Sequence, residues 1–287
     1  KINMKLSEFP EVITGGLFRD GVFSNIGMLY QEKPNILCPI NSAEYLSDMN
    51  ANNSISCLIT NEEVTKEIPE NIGIWVSPNP LESFFQLHNY LLYKTDFYGN
   101  HFSSLIPKNC SIACNAQISA DNIILNDNVM IDNYAIIRGK TEIGKNSKIS
   151  SYVSIGDDGF EVKIIDGISS IIEHAGGVII GKNVEIHSFS AIDCGLFDEK
   201  TFIGDNVKID KYVHIAHNTT VLENTIICSS SKIMGSSFIG RNVFISLGVM
   251  INNRVKIGNN CFIGPGEVVL EDVPANTRLI DGKINGI

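Results

Sequence analysis

The sequence contains no apolar run near the length of roughly 20 residues that a membrane-spanning helix requires, and its first residues lack the apolar core of a signal peptide. It has no CxxC pair; its seven cysteines are scattered and odd in number, which argues against a disulfide framework and suits reduced thiols in a cytoplasm. Cys110 and Cys114 stand four apart, but no Cys/His set follows at a zinc-like spacing, so they read as small wall-filling residues. Basic residues are scarce. Twenty-two Lys and Arg face 32 Asp and Glu, for a net charge of −10 and a pI near 5.1. That balance argues against nucleic acid or an anionic membrane as the main partner. Hydrophobic residues make up 44% of the 287, enough to fill the core of one large or two modest domains.

Over much of the chain neither the 3.6-residue helical period nor the two-residue strand period is present. From Ile203 to Val269 the sequence instead reads in sixes: IGDNVK, IDKYVH, IAHNTT, VLENTI, ICSSSK, IMGSSF, IGRNVF, ISLGVM, INNRVK, IGNNCF, IGPGEV. An Ile or Val opens each hexapeptide, the second place is usually Gly or another small or polar residue, and the fifth is usually small or β-branched. Such a short fixed period marks a solenoid, whose turns bury their faces only by stacking on one another. The same period runs earlier through Ile106, Ile112 and Ile118, then Leu125 to Ile155 in steps of six, then Ile180, Ile186 and Ile192. It is interrupted near 157–177 and again near 194–200, and about eight coils are expected. Insertions leave a solenoid as loops and commonly carry function. These two fall in neighbouring coils and are expected to flank one site.

Residues 1–100 have no hexapeptide period. Met4 to Pro10 reads as a short helix or turn, TGGLFRDGV as turns, SCLIT and IGIWV as buried strands, and LESFFQLHNYLLY as an amphipathic helix following the Asn79-Pro80 turn. Glu62 to Glu70 is polar and expected at the surface. The first 100 residues are thus expected to form a small α/β domain, and residues 101–287 the repeat domain.

The repeat resembles that of the hexapeptide acyltransferases, which implies a mainly β fold, a left-handed parallel β-helix in which three hexapeptides make one triangular coil. The left hand comes from the resemblance alone, since the usual crossover rule would give a right-handed winding. The order LSEF, TGG, ILCPIN, AEYL, strand, NP and amphipathic helix further resembles the N-terminal domain of the UDP-3-O-acylglucosamine N-acyltransferases of lipid A synthesis. That domain helps hold the nucleotide, which makes Asn41 and Tyr45 candidate substrate residues; Cys38 stands where the family has an aromatic. Both candidates are equally open to being structural. The resemblance also implies a homotrimer with sites between subunits.

Acyl transfer from a thioester to a sugar amine needs a base, an oxyanion donor and a groove that aligns two substrates. Histidine suits the first, with an ordinary pKa of about 6.5. The segment D-x-x-x-x-I-A-H-N, at Asp210, Ile215, Ala216, His217 and Asn218, matches the family segment holding its base. The match implies His217 as base, Asp210 as the group that orients it and Asn218 as a neighbour in the groove; a corner histidine bonded to a carbonyl is the plain alternative. Gly235 lies three hexapeptides on, one coil from His217, and the family uses the equivalent amide as oxyanion donor. The loop IGDDGF, with Asp158, Gly159 and Phe160, resembles a wall of the substrate groove, although Glu161 replaces the usual glycine. His174 closes that insertion, and it is a candidate for touching the sugar or its phosphates. Asp193 keeps its place in SAIDCGLFDEKTFIG, whereas Cys194 stands where the family has arginine. Arg254, in INNR, replaces a second family histidine and is suited to a phosphate rather than to proton transfer. His187 and His214 have no specific role on this reading.

The last segment, VLEDVPANTRLIDGKING, resembles the final coil of CoA-dependent sugar and serine acetyltransferases. It makes Ala275 and Asn276, with Gly235, candidates for contacting CoA, and Arg278 and Lys283 candidates for its phosphates. The expectation is therefore an N-acyltransferase that moves an acetyl or other short acyl group from acyl-CoA to a nucleotide-linked amino sugar, as in O-antigen or surface-glycan synthesis, with no metal. A second reading is the lipid A enzyme itself, taking a 3-hydroxyacyl chain from acyl carrier protein. A metal-dependent carbonic anhydrase built on His187, His214 and His217, or a purely structural solenoid, are the readings from other classes.

Overall fold

The computed structural model describes every residue except Lys1, Pro10, Val12, Asn100, Asp166 and Ile287. Two units are present. One comprises residues 1–100 together with 160–173; the other comprises 101–159 and 174–287. The inserted segment 160–173 therefore groups with the first unit and not with the coils it interrupts.

In the first unit, β1 (Met4–Lys5) pairs with β3 (Val22–Phe23), and the one-turn 3-10 helix Leu6–Glu8 follows β1; Pro10, at the end of the expected helix, lies outside the described residues. TGGLFRDGV is not all turn: β2 (Gly16–Arg19) is the edge of a five-stranded sheet whose other strands are β4 (Asn25–Ile26), β5 (Ile36–Ile40), β6 (Ile55–Thr60) and β7 (Gly73–Val76). The spatial order is β2-β7-β6-β5-β4; β2 runs antiparallel to β7 and the other pairs are parallel. Helices α1 (Leu46–Ala51) and α2 (Pro80–Lys94) complete the unit. Asn79 caps α2 by accepting from the Glu82 N–H, Pro80 stands in the first turn where its missing N–H costs nothing, and Phe84, Phe85, Leu87 and Leu91 form the buried stripe. Glu62 to Glu70 is less superficial than its charge suggests, because Val64, Thr65 and Ile68 are buried. From the inserted segment come the strands Val162–Ile165 and Ile168–Ile171, an antiparallel hairpin.

The second unit is a three-sided parallel β-helix. Its faces carry seven, ten and eight strands, and the eight of the third face give one per coil. Ile131 pairs with Ile149, Ile209 with Ile227 and Ile215 with Ile233, so each repeat-opening residue stacks on its counterpart one coil away. Ile203, Ile215, Ile227, Ile233, Ile239 and Ile245 are all fully buried. Each such side chain contributes about 1.5–3 kcal/mol over an exposed one, but only while the next coil covers it. The fifth place alternates Val with Ser or Thr for a reason: interior hydroxyls bond the next coil's carbonyls. Thr225 donates to Gly240 O at 2.9 Å, Ser231 to Ser246 O at 2.9 Å and Ser237 to Asn252 O at 2.9 Å. Among the proposed wall-fillers, Cys110, at the fifth place of its hexapeptide, packs against the core, whereas Cys114, at the third place and so at a corner, is exposed.

Corners are turned by residues at positive φ. Between the first and second faces these are Asn128, Asn146, Asn183, Asn206, Asn224, Asn242, Asn260 and Asn276, at φ 55–61°. Asparagine tolerates this conformation, and each amide donates to the next, for example Asn206 to Asn224 at 3.0 Å and Asn242 to Asn260 at 3.0 Å. Between the second and third faces Tyr134, Tyr152, Phe189 and Tyr212 take the same conformation and stack at 5.0–5.1 Å. The corner between the third and first faces has neither ladder. The chemistry-bearing residues lie there.

Candidate active site

The third-face strands pair in register at Ile155, Ile192, Ile215, Ile233 and Ile251. Two residues beyond Ile215 and Ile233 come His217 and Gly235, stacked coil upon coil. A Cβ on Gly235 would lie 2.7 Å from His217 Nε2 and 2.8 Å from its Cε1, so the imidazole rests on the glycine backbone. Gly159, at the mouth of the first insertion, forms the opposite wall: a Cβ there would lie 3.0 Å from His217 Cδ2 and 2.9 Å from His174 Nε2. The two rings meet edge to face, with centroids 5.3 Å apart and planes at 72°. His174 is buried and His217 half-buried. The backbone N–H of Ser236 donates to His217 O at 2.9 Å and that of Arg254 to Gly235 O at 3.1 Å, whereas the Gly235 N–H donates to no acceptor among the described residues.

The ends of the two insertions are joined directly. Ala175 N–H donates to Leu196 O and Gly176 N–H to Gly195 O, both at 2.9 Å, and the Leu196 N–H donates to the Asn218 side chain at 2.9 Å. Asp158 accepts from the His174 N–H at 3.4 Å and from Cys194 Sγ at 3.8 Å. Burial, reinforced by the charges of Asp158 and Asp193, pushes the Cys194 thiol up to about 12, so it is neutral at any physiological pH and no nucleophile. Asp193, nearly buried, accepts from His214 Nε2 at 2.8 Å. Nothing in the local sequence marks His214 itself; the signal for it is the retained Asp193 one coil below. Phe160 is 82% exposed and belongs to the first unit. Arg254 is exposed at φ 62°.

Asp210 is not where the segment match puts it. It follows the second-face strand Lys208–Ile209, with Oδ1 4.0 Å from His187 Nδ1, whereas His217 follows the third face. The coil separates positions seven apart by a whole face, so Asp210 partners His187. Also apart from the cluster are Ala275 and Asn276: Ala275 is seated on Gly258, and Asn276 closes the amide ladder by accepting from Asn260 at 2.8 Å. Arg278 and Lys283 are exposed on the terminal hairpin of Thr277–Ile280 and Lys283–Gly286. In the first unit Asn41 is exposed and its carbonyl accepts from Asn61 at 2.9 Å, and Tyr45 is 43% exposed in a one-turn helix. Cys38 is wholly buried among Ile36, Ile40, Leu58 and Ile74, so its position is an interior one. Among the described residues no three His, Cys, Asp or Glu converge as a metal site; His214 is held by Asp193, and His187 stands by Asp210.

The bacterial transferase hexapeptide model (six repeats) matches residues 122–157 and 200–235. The chain is 36% identical over 120 residues to the acyl-(acyl-carrier-protein)–UDP-N-acetylglucosamine O-acyltransferase of Campylobacter concisus, covering 41% of this chain and 43% of that protein. It is 28% identical over 247 residues to the UDP-3-O-acylglucosamine N-acyltransferase of Coxiella burnetii, covering 77% and 71%. The crystal structure of LpxA, a UDP-N-acetylglucosamine acyltransferase from Bacteroides fragilis, superposes with a TM-score of 0.52 at 22% identity, over 63% of this chain and 73% of that one. That likeness carries the fold, a left-handed parallel β-helix. The match spans less than half the length of the first relative and about seven tenths of the second.

Proposed function

We propose that the chain is a hexapeptide-repeat N-acyltransferase acting on a nucleotide-linked amino sugar. The observation that supports this most directly is the stacking of the His217 imidazole on Gly235, whose N–H donates to no acceptor among the described residues. As the sugar amine attacks the thioester carbonyl and the C–N bond forms, His217 takes the amine proton. Gly235 N–H donates to the oxyanion of the tetrahedral intermediate. Collapse breaks the C–S bond, and the His217 imidazolium returns the proton to the departing sulfur. His174, Asp158, Asp193 and Asn218 line the acceptor side; Arg254 meets a phosphate; Asn41 and Tyr45 contact the nucleotide. In this reading the donor is a short acyl-CoA, held by the last coil through Ala275, Asn276, Arg278 and Lys283, and the protein is a cytoplasmic homotrimer. Asp210 keeps no role in it.

The Coxiella relative favours a second reading, transfer of a 3-hydroxyacyl chain from acyl carrier protein to UDP-3-O-acylglucosamine. One assay separates the two. Thiol release from acetyl-CoA is followed with UDP- and dTDP-amino sugars, beside 3-hydroxyacyl carrier protein with UDP-3-O-acylglucosamine. Turnover with acetyl-CoA and one amino sugar supports the first reading; turnover only with carrier protein supports the second. In either case His217→Ala is expected to lower kcat at least ~100-fold, and near-normal turnover would remove His217 as the base.

A further inference from the structure

Lys140 stands at the third-to-first-face corner in the left-handed conformation, φ 58°. Its Nζ donates to the Ala175 carbonyl at 2.7 Å, and its own carbonyl accepts from the Val178 N–H at 3.1 Å. It therefore brackets the segment His174–Val178, which is buried throughout. The N–H groups of that segment are held from other directions: His174 by Asp158, Ala175 by Leu196, Gly176 by Gly195 and Gly177 by Glu199. Gly176 and Gly177 have no room for side chains, the latter because the Lys140 carbonyl oxygen already stands where any Cβ would lie. The Lys140 ammonium thus anchors the carbonyl side of the residue adjoining His174. Burial and the nearby Lys200 lower its pKa, opposed by Asp198.

We propose that Lys140 is a positioning residue: its ammonium, bound to Ala175 O, fixes the segment that carries His174 and so holds the His174 ring against His217. The proposal rests on the reading of His217 as the base. A displacement of that ring by a fraction of an ångström to an ångström changes the groove in which the amine must meet His217, and such misplacement costs turnover rather than affinity.

The test uses the full chain with Lys140→Met, Lys140→Gln and Lys140→Arg, and has two readouts. In steady-state kinetics K140M is expected to lower kcat roughly 10–100-fold with both KM values little changed, and K140R to restore most of the loss. In proton NMR the His174 Cε1–H signal, identified by its absence in H174Q, is expected to move in K140M and to stay near its place in K140R. Should Met at 140 unfold the protein, K140Q, too short to reach Ala175, is read in the same way. An unmoved His174 signal overturns the proposal, and so does a raised KM at unchanged kcat, which would make Lys140 a direct substrate contact. If the wild type transfers no acyl group to any acceptor, the proposed function fails, and the NMR result still decides whether Lys140 positions His174.

Discussion

A methyl group on Gly235 would lie 2.7 Å from His217 Nε2, closer than any real carbon tolerates. The Gly235 backbone itself is not in the left-handed region, so Gly235→Ala tests space and not strain. The coil need not move, because the obstacle is one half-buried side chain that can swing outward. Gly235→Ala is therefore expected to lower kcat at least ~100-fold while its thermal midpoint falls by no more than about 2–4 °C, the equivalent of about 1 kcal/mol. Activity near wild type would show that the imidazole works without resting on this glycine. Much of this pair is legible in the sequence, since a period of six in a three-sided coil places residues three hexapeptides apart on top of one another. Asp210 misleads for the same geometric reason: a spacing of seven crosses a face, and only the structure shows His187 as its neighbour at 4.0 Å. Lys140 is invisible in the sequence because a lysine after glycine in a corner reads as a solvated charge; its bond to Ala175 depends on a loop distant along the chain.

Within one coil the corners decide whether the chain can turn, and the asparagine ladder is the clearest case. Asn224 has φ 59°, accepts from Asn206 at 3.0 Å and donates to Asn242 at 3.3 Å. Replacement by Gly keeps the conformation and removes both bonds, an expected loss of about 1 kcal/mol at an exposed site. Replacement by Ala removes the same bonds and keeps a Cβ in the left-handed region without the polar side chain that lets asparagine adopt it, so it is expected to lie about 1–2 kcal/mol below Gly. The expected order of thermal midpoints is Asn, then Gly, then Ala, and equal midpoints for Gly and Ala would mean that the corner relaxes out of this conformation. The repeat-opening Ile and Val residues are readable because burial demands an apolar side chain. The ladders are not, because Asn, Tyr and Phe at the same place in successive coils gain their partners only when coil spacing brings them to about 5 Å. The hairpin Val162–Ile171 stays hidden because its exposed Ile164, Ile168 and Ile171 follow no six-residue register.

For the molecule as a whole the repeat makes the whole coil, rather than any single contact, the unit of tolerance. Each coil touches only its two neighbours, so stability is close to a sum of coil and interface contributions. Deleting residues 239–256 would bring Ile257 into the place of Ile239, with Ile263 and Val269 taking the places of Ile245 and Ile251 on the second and third faces. Every apolar residue would again meet an apolar neighbour, and the asparagine ladder would close from Asn224 to Asn260. Deleting only 239–244 removes one hexapeptide and turns all that follows by one face. The corner asparagine Asn260 would then arrive at the third-to-first corner, where Arg254 stands, and Gly248 would take the place of Asn242, so the amide ladder would end at Asn224. The whole-coil deletion is expected to fold with the parent's circular dichroism spectrum and one cooperative melt at a modestly lower temperature; the single-hexapeptide deletion is expected to lose that melt. Arg254 lies within the longer deletion and the loops around His217 do not, so the shortened protein also isolates what the coil above Gly235 adds to turnover. Equal melting behaviour of the two deletions would show that individual faces, rather than whole coils, are the units of this fold.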